Sequence, residues 1–201
     1  MYPTATATVS LSRIVSEVLE LVAVALGLVA VPLMIRQNEL TFPFGIAYAL
    51  LSVYVFNAAQ LTASLLLHVY YVAVNAYGWW HWRYATDREQ GVLPVTWTPG
   101  ALRALLLVLT AVGLWVLVQV AESTGASSTF WDPAGTALSL TAMWMAARKH
   151  VENWLIWVVV NIIYVFVYAE QALYWYVVLY GVYLVMAVIG WRAWRASMQA
   201  V

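Results

Sequence analysis

The sequence predicts an all-α integral membrane protein with seven transmembrane helices. Of its 201 residues, 65% are hydrophobic and only 9% are charged, a balance that soluble domains do not have. The apolar residues also form long runs: residues 40–82 contain no Asp, Glu, Lys or Arg, which is enough for two crossings of about 20 residues each. The runs are too continuous for the alternating pattern of a β-barrel.

Charged and turn-forming residues divide the chain into seven predicted helices. Spanning segments must be helical, because lipid offers no partner for free backbone groups. The predicted helices cover Glu17 to Ile35, Leu40 to Phe56, Leu61 to Trp82, Leu102 to Ala121, Pro133 to Ala147, Asn153 to Ala169 and Gln171 to Trp194. Residues 83–103, which contain two prolines, form the one substantial linker. We therefore expect a single membrane domain over residues 1–201.

The hexad Gly-Trp-x-x-Trp-Arg occurs at residues 78–83 and again at 190–195. The 112-residue shift between the two copies also pairs His68 with Tyr180 and Tyr71 with Tyr183. Three helices leave the chain on the wrong face to start a second copy in the same orientation, so one crossing must be inserted. The sequence thus predicts a 3+1+3 parallel repeat: repeat one at about 14–83, a linker helix at about 102–121 and repeat two at about 133–195. Parallel repeats are typical of transporters, although the hexad alone could merely anchor two helix ends at the interface.

The distribution of basic residues predicts the orientation. Cytoplasmic loops retain Lys and Arg, and the ends of helices 1, 3, 5 and 7 carry nearly all of them: Arg36, Arg83, Arg88, Arg103, Arg148, Lys149, Arg192 and Arg195. The opposite side has Arg13 alone. We therefore expect the N-terminus outside and the C-terminus in the cytoplasm.

Helix 6 carries a stripe of polar and aromatic side chains, formed by Asn153, Trp157, Asn161, Tyr164 and Tyr168. At 100° per residue these positions stay on one face of the helix. Two Asn side chains in a membrane span are costly unless they form hydrogen bonds, so the stripe must face the bundle interior or a wet cavity. It favours a binding site, with an indole beside two amides; interhelical hydrogen bonding is the alternative.

Further candidate binding residues lie on the third helix of each repeat, namely Asn75 in the first and Tyr180 and Tyr183 in the second. The positions equivalent to Trp157 and Asn161 in repeat one are Gly45 and Ala49, small residues that could make room for a ligand. Aromatic faces with amides and hydroxyls suit a flat ring, and indole faces favour a cationic one.

Several classes of function are disfavoured by what the sequence lacks. It has no cysteine and no Asp, Glu, Lys or Arg in the middle of a predicted span, so thiol chemistry and the usual ionisable residues of ion-coupled transport have no basis. Phosphate-loop, zinc-protease and serine-hydrolase motifs are also absent. We expect no enzyme activity, cofactor, metal or nucleic-acid partner; the expected partners are the lipid bilayer and a small molecule.

Two motifs resemble the PnuC family of vitamin transporters over essentially the whole chain: Glu152-Asn153-Trp154-x-x-Trp157-x-x-x-Asn161 and Tyr77-Gly78-Trp79-x-x-Trp82. The resemblance implies a SWEET-like fold, often a homotrimer, that moves nicotinamide riboside across the bacterial inner membrane by facilitated diffusion, followed by phosphorylation inside the cell. It also implies that Trp157 and Asn161 are the central ring and polar contacts, with Asn153 and Glu152 nearby.

Other functions remain open at this point. Related branches move thiamine or riboflavin, and many family members carry Asp where this chain has Asn161. Thiamine is also a cationic flat ring system, whereas riboflavin is neutral and bulkier. From another class, the alternative is a non-transporting membrane assembly protein whose Trp and Tyr residues serve only as interface anchors.

Overall fold

The structure, a computed structural model, describes residues 5–58, 62–85, 93–125, 130–170, 172 and 174–199. This part of the chain contains seven helices and no strand, so the predicted fold class is confirmed. The helices are α1 (Ala5–Ile35), α2 (Thr41–Ala58), α3 (Thr62–Tyr84), α4 (Gly100–Thr124), α5 (Trp131–Ala147), α6 (Asn153–Glu170) and α7 (Tyr174–Ser197).

Six of the helices follow the predicted bounds closely, but α1 does not. The predicted start at Glu17 is wrong, because α1 begins at Ala5. The prediction placed the start of the helix where the apolar run begins. The helix extends further because residues 5–16 include no Gly or Pro that would end it. Leu61 and Gln171, the predicted first residues of helices 3 and 7, lie outside the described residues.

Three of the described helices have the length and apolar composition of membrane spans. Within the described residues, Gly100–Thr124, Asn153–Glu170 and Tyr176–Ser197 are long and apolar enough to cross a membrane, and Leu21–Ile35 and Thr41–Tyr54 are shorter apolar stretches. In α4 only Ala121 is buried, whereas Leu107 and Trp115 are about two-thirds exposed. A helix with so apolar an exposed surface is suited to lipid.

The chain folds as two compact units, residues 1–79 and residues 80–201. In the first unit α1 packs against α2, and in the second α4, α5, α6 and α7 each pack against the next. The boundary falls inside α3 and not in the predicted linker helix. The single domain and the repeat bounds stay predictions.

One local feature supports the predicted repeat, because the turns between α1 and α2 and between α5 and α6 have the same backbone. Gln37 and Lys149, which are 112 residues apart, both have a left-handed φ of 55°. The backbone hydrogen bonds correspond as well: Asn38 N to Leu33 O and His150 N to Met145 O are both 2.9 Å, and Thr41 N to Asn38 O and Asn153 N to His150 O are 3.1 and 3.2 Å. Two sequences with different side chains thus adopt one turn at the predicted shift.

Aromatic rings pack around a glycine where α6 and α7 meet. The Trp154 ring lies so close to Gly190 that a Cβ there would be 2.6 Å from three of its atoms. Trp154 also packs edge-on against Trp194, with ring centroids 5.4 Å apart, and Trp82 lies 6.0 Å from Trp194. The Trp82 indole donates a hydrogen bond to the Ala147 carbonyl at 3.1 Å. The second glycine of the doubled hexad is therefore a packing residue for α6.

Residues 93–98, which precede α4, run along the α5–α6 turn. Thr96 N donates to Lys149 O at 3.1 Å and Val151 N donates to Thr96 O at 3.0 Å, which makes a single parallel β-bridge. The Lys149 ammonium donates to the Leu93 carbonyl at 2.7 Å and lies 4.5 Å from the centre of the Trp82 ring. We call the contacts of residues 93–98 with residues 149–152 the linker clasp.

We expect Gly190→Ala to destabilise the protein. The added methyl would overlap a rigid indole, and overpacking of this kind costs about 1–3 kcal/mol. Gly181→Ala on the same helix is the matched control, since a Cβ there meets nothing within 4 Å. Thermal unfolding in detergent should show a lower midpoint for the first variant only. Equal midpoints for both variants would contradict the close packing of Trp154 on α7.

We expect the stability to depend on pH through Lys149. Burial lowers the pKa of its ammonium from 10.5 to about 8. Between these two pH values the unfolded chain holds more protons than the folded one, so this group makes the protein more stable as pH rises. Lys149→Gln should remove this component, and Gln is suited to the turn because Gln37 has the same φ. The measurement is the unfolding midpoint of both proteins from pH 8 to 10.5; parallel curves would contradict it.

Candidate functional site

The α6 stripe extends from Asn153, the first residue of the helix, to Tyr168. Asn153 and Asn161 are buried, with 0% and 4% of their surface exposed, whereas Trp157, Tyr164 and Tyr168 are half-buried. At 1.5 Å per residue the stripe extends over about 22 Å. The predicted face therefore exists, but its members lie at different depths and have different partners.

Asn161 is the member of the stripe best suited to bind a ligand. Its side chain is buried in the middle of α6, and no hydrogen bond to its amide is found within the described part of the chain. An amide inside an apolar bundle that makes no hydrogen bond is costly. Trp157 lies four residues earlier, one turn along the same face. A buried amide beside an indole can hold a planar group with a polar substituent.

Asn153 has a structural role as well as its predicted one. Its Nδ2 donates to the His150 carbonyl at 2.7 Å and so closes the α5–α6 turn. Its Oδ1 is buried and has no hydrogen-bond partner within the described residues, and the same holds for His150 Nε2 and Trp154 Nε1. Buried polar atoms of this kind are rare and often mark a bound water or ligand. The head of α6 is therefore a second place where polar ligand groups could bind.

The Glu152 carboxylate is held by the linker clasp. Both of its oxygens accept from the Thr98 backbone amide, at 3.1 and 3.0 Å, and one also accepts from the Thr98 hydroxyl at 3.0 Å. Arg103 donates to it at 2.8 Å and forms an ion pair. This role could not be predicted from the sequence, because Thr98 and Arg103 are far from Glu152 in the chain. Its predicted place near a substrate stays a prediction.

Tyrosines from α6 and α7 form one aromatic cluster. Tyr164 and Tyr180 have ring centroids 5.0 Å apart, and Tyr180 and Tyr183 are 5.9 Å apart and edge-on. Tyr168 joins them, 5.8 Å from Tyr164 and 5.2 Å from Tyr180. The structure thus brings Tyr164 and Tyr168 of the predicted α6 stripe together with Tyr180 and Tyr183, the candidates on α7.

Asn75, the remaining candidate, belongs to the first unit and is buried. Its Nδ2 donates to the Tyr71 carbonyl at 2.8 Å. Its amide lies against Gly45, where a Cβ would overlap Asn75 Oδ1. The expectation that Gly45 makes room for a ligand is therefore wrong, because the Asn75 side chain occupies that space.

Comparison with known proteins identifies the family. The chain matches the profile of the nicotinamide mononucleotide transporter family over residues 17–196. It belongs to that family. It is 31% identical to the nicotinamide riboside transporter PnuC of Escherichia coli (strain K12), in an alignment that covers 89% of this chain and 85% of the relative. The PnuC of Haemophilus influenzae is 26% identical, with coverage of 84% and 75%.

Two further similarities concern substrate and fold. The riboflavin/roseoflavin transporter RibM of Streptomyces davaonensis is 28% identical over 72% of this chain and 68% of its own. The crystal structure of the vitamin B3 transporter PnuC is 21% identical and covers 90% of this chain and 82% of its own, with a TM-score of 0.71. This family member therefore has the PnuC fold. It is a multi-pass inner-membrane protein of a transporter family, and its substrate is a small molecule.

We expect Glu152→Ala to release residues 93–98. The Thr98 amide loses its acceptor and Arg103 its ion-pair partner, so amide hydrogens in this segment should exchange faster with deuterium. Glu122→Ala, which removes an exposed acid at the end of α4, is the control and should change nothing in the segment. Exchange that is equally slow in both variants would show that the clasp does not depend on Glu152.

Proposed function

We propose that this family member imports nicotinamide riboside across the bacterial inner membrane by facilitated diffusion, with phosphorylation inside the cell retaining the product. The observation that carries the proposal is the buried Asn161 amide, which lacks a partner within the described residues and lies one turn from Trp157. Relatives named as nicotinamide riboside transporters align over most of the chain.

The chemistry of this ligand matches the α6 stripe. Nicotinamide riboside is a cationic aromatic ring that carries a carboxamide and a ribose. The Trp157 face attracts a cationic ring, and the Asn161 amide can both donate to and accept from a carboxamide. Asn153, Tyr164, Tyr180 and Tyr183 are the further candidate contacts, and the role of Asn75 stays a prediction from the sequence. Glu152 is the least accessible of the predicted set, since Thr98 and Arg103 already occupy its carboxylate.

Passive transport follows from the charges. Residues 153–191 contain no Asp, Glu, Lys or Arg except Glu170, which lies between the two helices. Ion-coupled carriers usually hold ionisable residues at mid-membrane. A uniporter needs another reaction to make uptake unidirectional, and phosphorylation adds a charge that prevents return. The protein itself would then be no enzyme and need no cofactor.

The arrangement in the membrane is also part of the proposal. The bias of Lys and Arg places the N-terminus outside and the C-terminus in the cytoplasm. We further propose a homo-oligomer, a trimer as the resemblance to PnuC proteins implies. The two halves would be parallel repeats in a SWEET-like fold, which the matching α1–α2 and α5–α6 turns support.

Riboflavin and thiamine are the competing substrates. The similarity to RibM is the observation that favours riboflavin. Its isoalloxazine ring is neutral and larger, so it would gain less from Trp157 than a cation does. Thiamine is a flat cation, and nothing in the α6 stripe separates it from nicotinamide riboside by charge. A non-transporting assembly protein is not supported by any specific contact.

We expect purified protein in liposomes to take up labelled nicotinamide riboside without an ion gradient. Trp157→Ala should weaken binding by about 1–2 kcal/mol, which is roughly a five- to thirty-fold higher dissociation constant, because a cation–π contact is lost. Trp115→Ala on α4, a tryptophan that is 65% exposed, is the control and should bind as the parent does.

Different results would overturn different parts of the proposal. Uptake of thiamine or riboflavin alone would replace the substrate. A strict need for a proton gradient would replace the mechanism. Unchanged affinity in a folded Trp157→Ala protein would place that indole among the packing residues.

A further inference from the structure

We propose that Asp132 and the tyrosine cluster form a second, outer site that binds a planar organic cation before it reaches Trp157 and Asn161. This inference rests on the proposed function, since the cation is the transported ring. By the tyrosine cluster we mean the four rings that contact one another in sequence, Tyr176, Tyr168, Tyr164 and Tyr180. It lies at the end of the second unit that is opposite the linker clasp, because α5 begins there and α6 ends there.

The rings of the cluster form a continuous aromatic surface. Tyr168 is stacked on both Tyr164 and Tyr176, with interplanar angles of 23° and 29° and centroids 5.8 and 5.0 Å apart. Tyr180 lies about 5 Å from both Tyr164 and Tyr168. The ladder reaches the surface at Tyr176, whose side chain is 44% exposed. One end of the ladder is therefore accessible. At its other end, Tyr164 follows Asn161 by three residues, about one turn of α6.

Asp132 supplies the charge beside this surface. It is in the first turn of α5 and is exposed, and it lies three residues before Gly135, about one turn of helix away on the same face. The Tyr164 ring is held in place by Gly135, where a Cβ would be 2.8 Å from it. The position of the acid relative to the rings is thus fixed by α5 itself.

The wider charge pattern at this end also favours a cation. Glu122, Asp132 and Glu170 end or begin helices here, while residues 104–147 and 150–191 contain no Lys or Arg. A region lined by one sign of charge raises the local concentration of the opposite ion. Tyrosine faces add a preference for cations that are flat and weakly hydrated. Interface anchoring explains exposed tyrosines near a helix end, but it does not require an acid on the helix that packs against one of them.

The two sites have different chemistry, which makes their roles separable. Asn161 and Trp157 offer an amide and an indole and contain no formal charge. The outer site offers a carboxylate and phenol rings, and the described residues named for it include no amide with which to recognise a carboxamide. It would therefore select for positive charge and flatness, while the inner site recognises the carboxamide and ribose.

The test measures uptake kinetics of nicotinamide riboside in cells that produce the protein. Asp132→Asn should raise KM by about three- to five-fold with kcat unchanged, because loss of the carboxylate weakens capture of a cation at a partly exposed site. Glu122→Gln removes the same charge at the same end of the unit from α4, a helix that carries none of the rings, and should raise KM less than Asp132→Asn does. Tyr176→Leu should raise KM, and Tyr176→Phe should restore it because the ring face is kept.

A competitor tests the cation preference directly. 1-Methylnicotinamide, a planar pyridinium cation without a ribose, should inhibit uptake by the parent protein and inhibit the Asp132→Asn protein less; neutral nicotinamide should inhibit neither. If Asp132 variants fail to fold, the Tyr176 pair decides. Equal KM values for parent and both Tyr176 variants, or no inhibition by the cation, would overturn the outer site. Absence of uptake by the parent protein would instead overturn the proposed function.

Discussion

The start of α6 depends on hydrogen bonds that hold the α5–α6 turn in a region where water is scarce. His150 N bonds back to Met145 O, and the chain on either side of His150 pairs with Thr96. The Glu152 carboxylate then accepts hydrogen bonds from the Thr98 amide and from Arg103. In an apolar bundle an unmade hydrogen bond costs far more than in solvent. The turn therefore has one low-energy arrangement, and α6 begins at Asn153 because of it.

Every residue of α6 that the proposed function requires follows this turn. Trp157 and Asn161 follow Asn153 by one and two turns of helix, so their direction is set where the helix starts. The contact between Trp154 and Gly190 then fixes the rotation of α6 against α7. Binding residues that are oriented by the backbone and by tight packing lose little freedom when a ligand binds.

The sequence was sufficient for features that depend on local pattern. Uninterrupted apolar runs predicted seven helices, and α5 ends at Ala147 and α6 begins at Asn153 as expected. The α6 stripe followed from helical periodicity alone. Features set by distant segments were not predictable. The Glu152 carboxylate binds a threonine 54 residues earlier in the chain, and no pattern around Glu152 indicates that partner. Gly45 could not be interpreted correctly either, since its neighbour Asn75 is on another helix.

The linker clasp also constrains how the chain can be inserted into a membrane. Between Thr98 and Glu152 the described chain has two helices that could cross the membrane, α4 and α5. Their hydrogen bonds can form only if both helices cross or neither does, because a single crossing would leave the partners on opposite faces. Arg103 and Lys149 would be misplaced by the same error. The clasp therefore cannot close on a chain in which only one of α4 and α5 has crossed, so it ties the insertion of the two helices together.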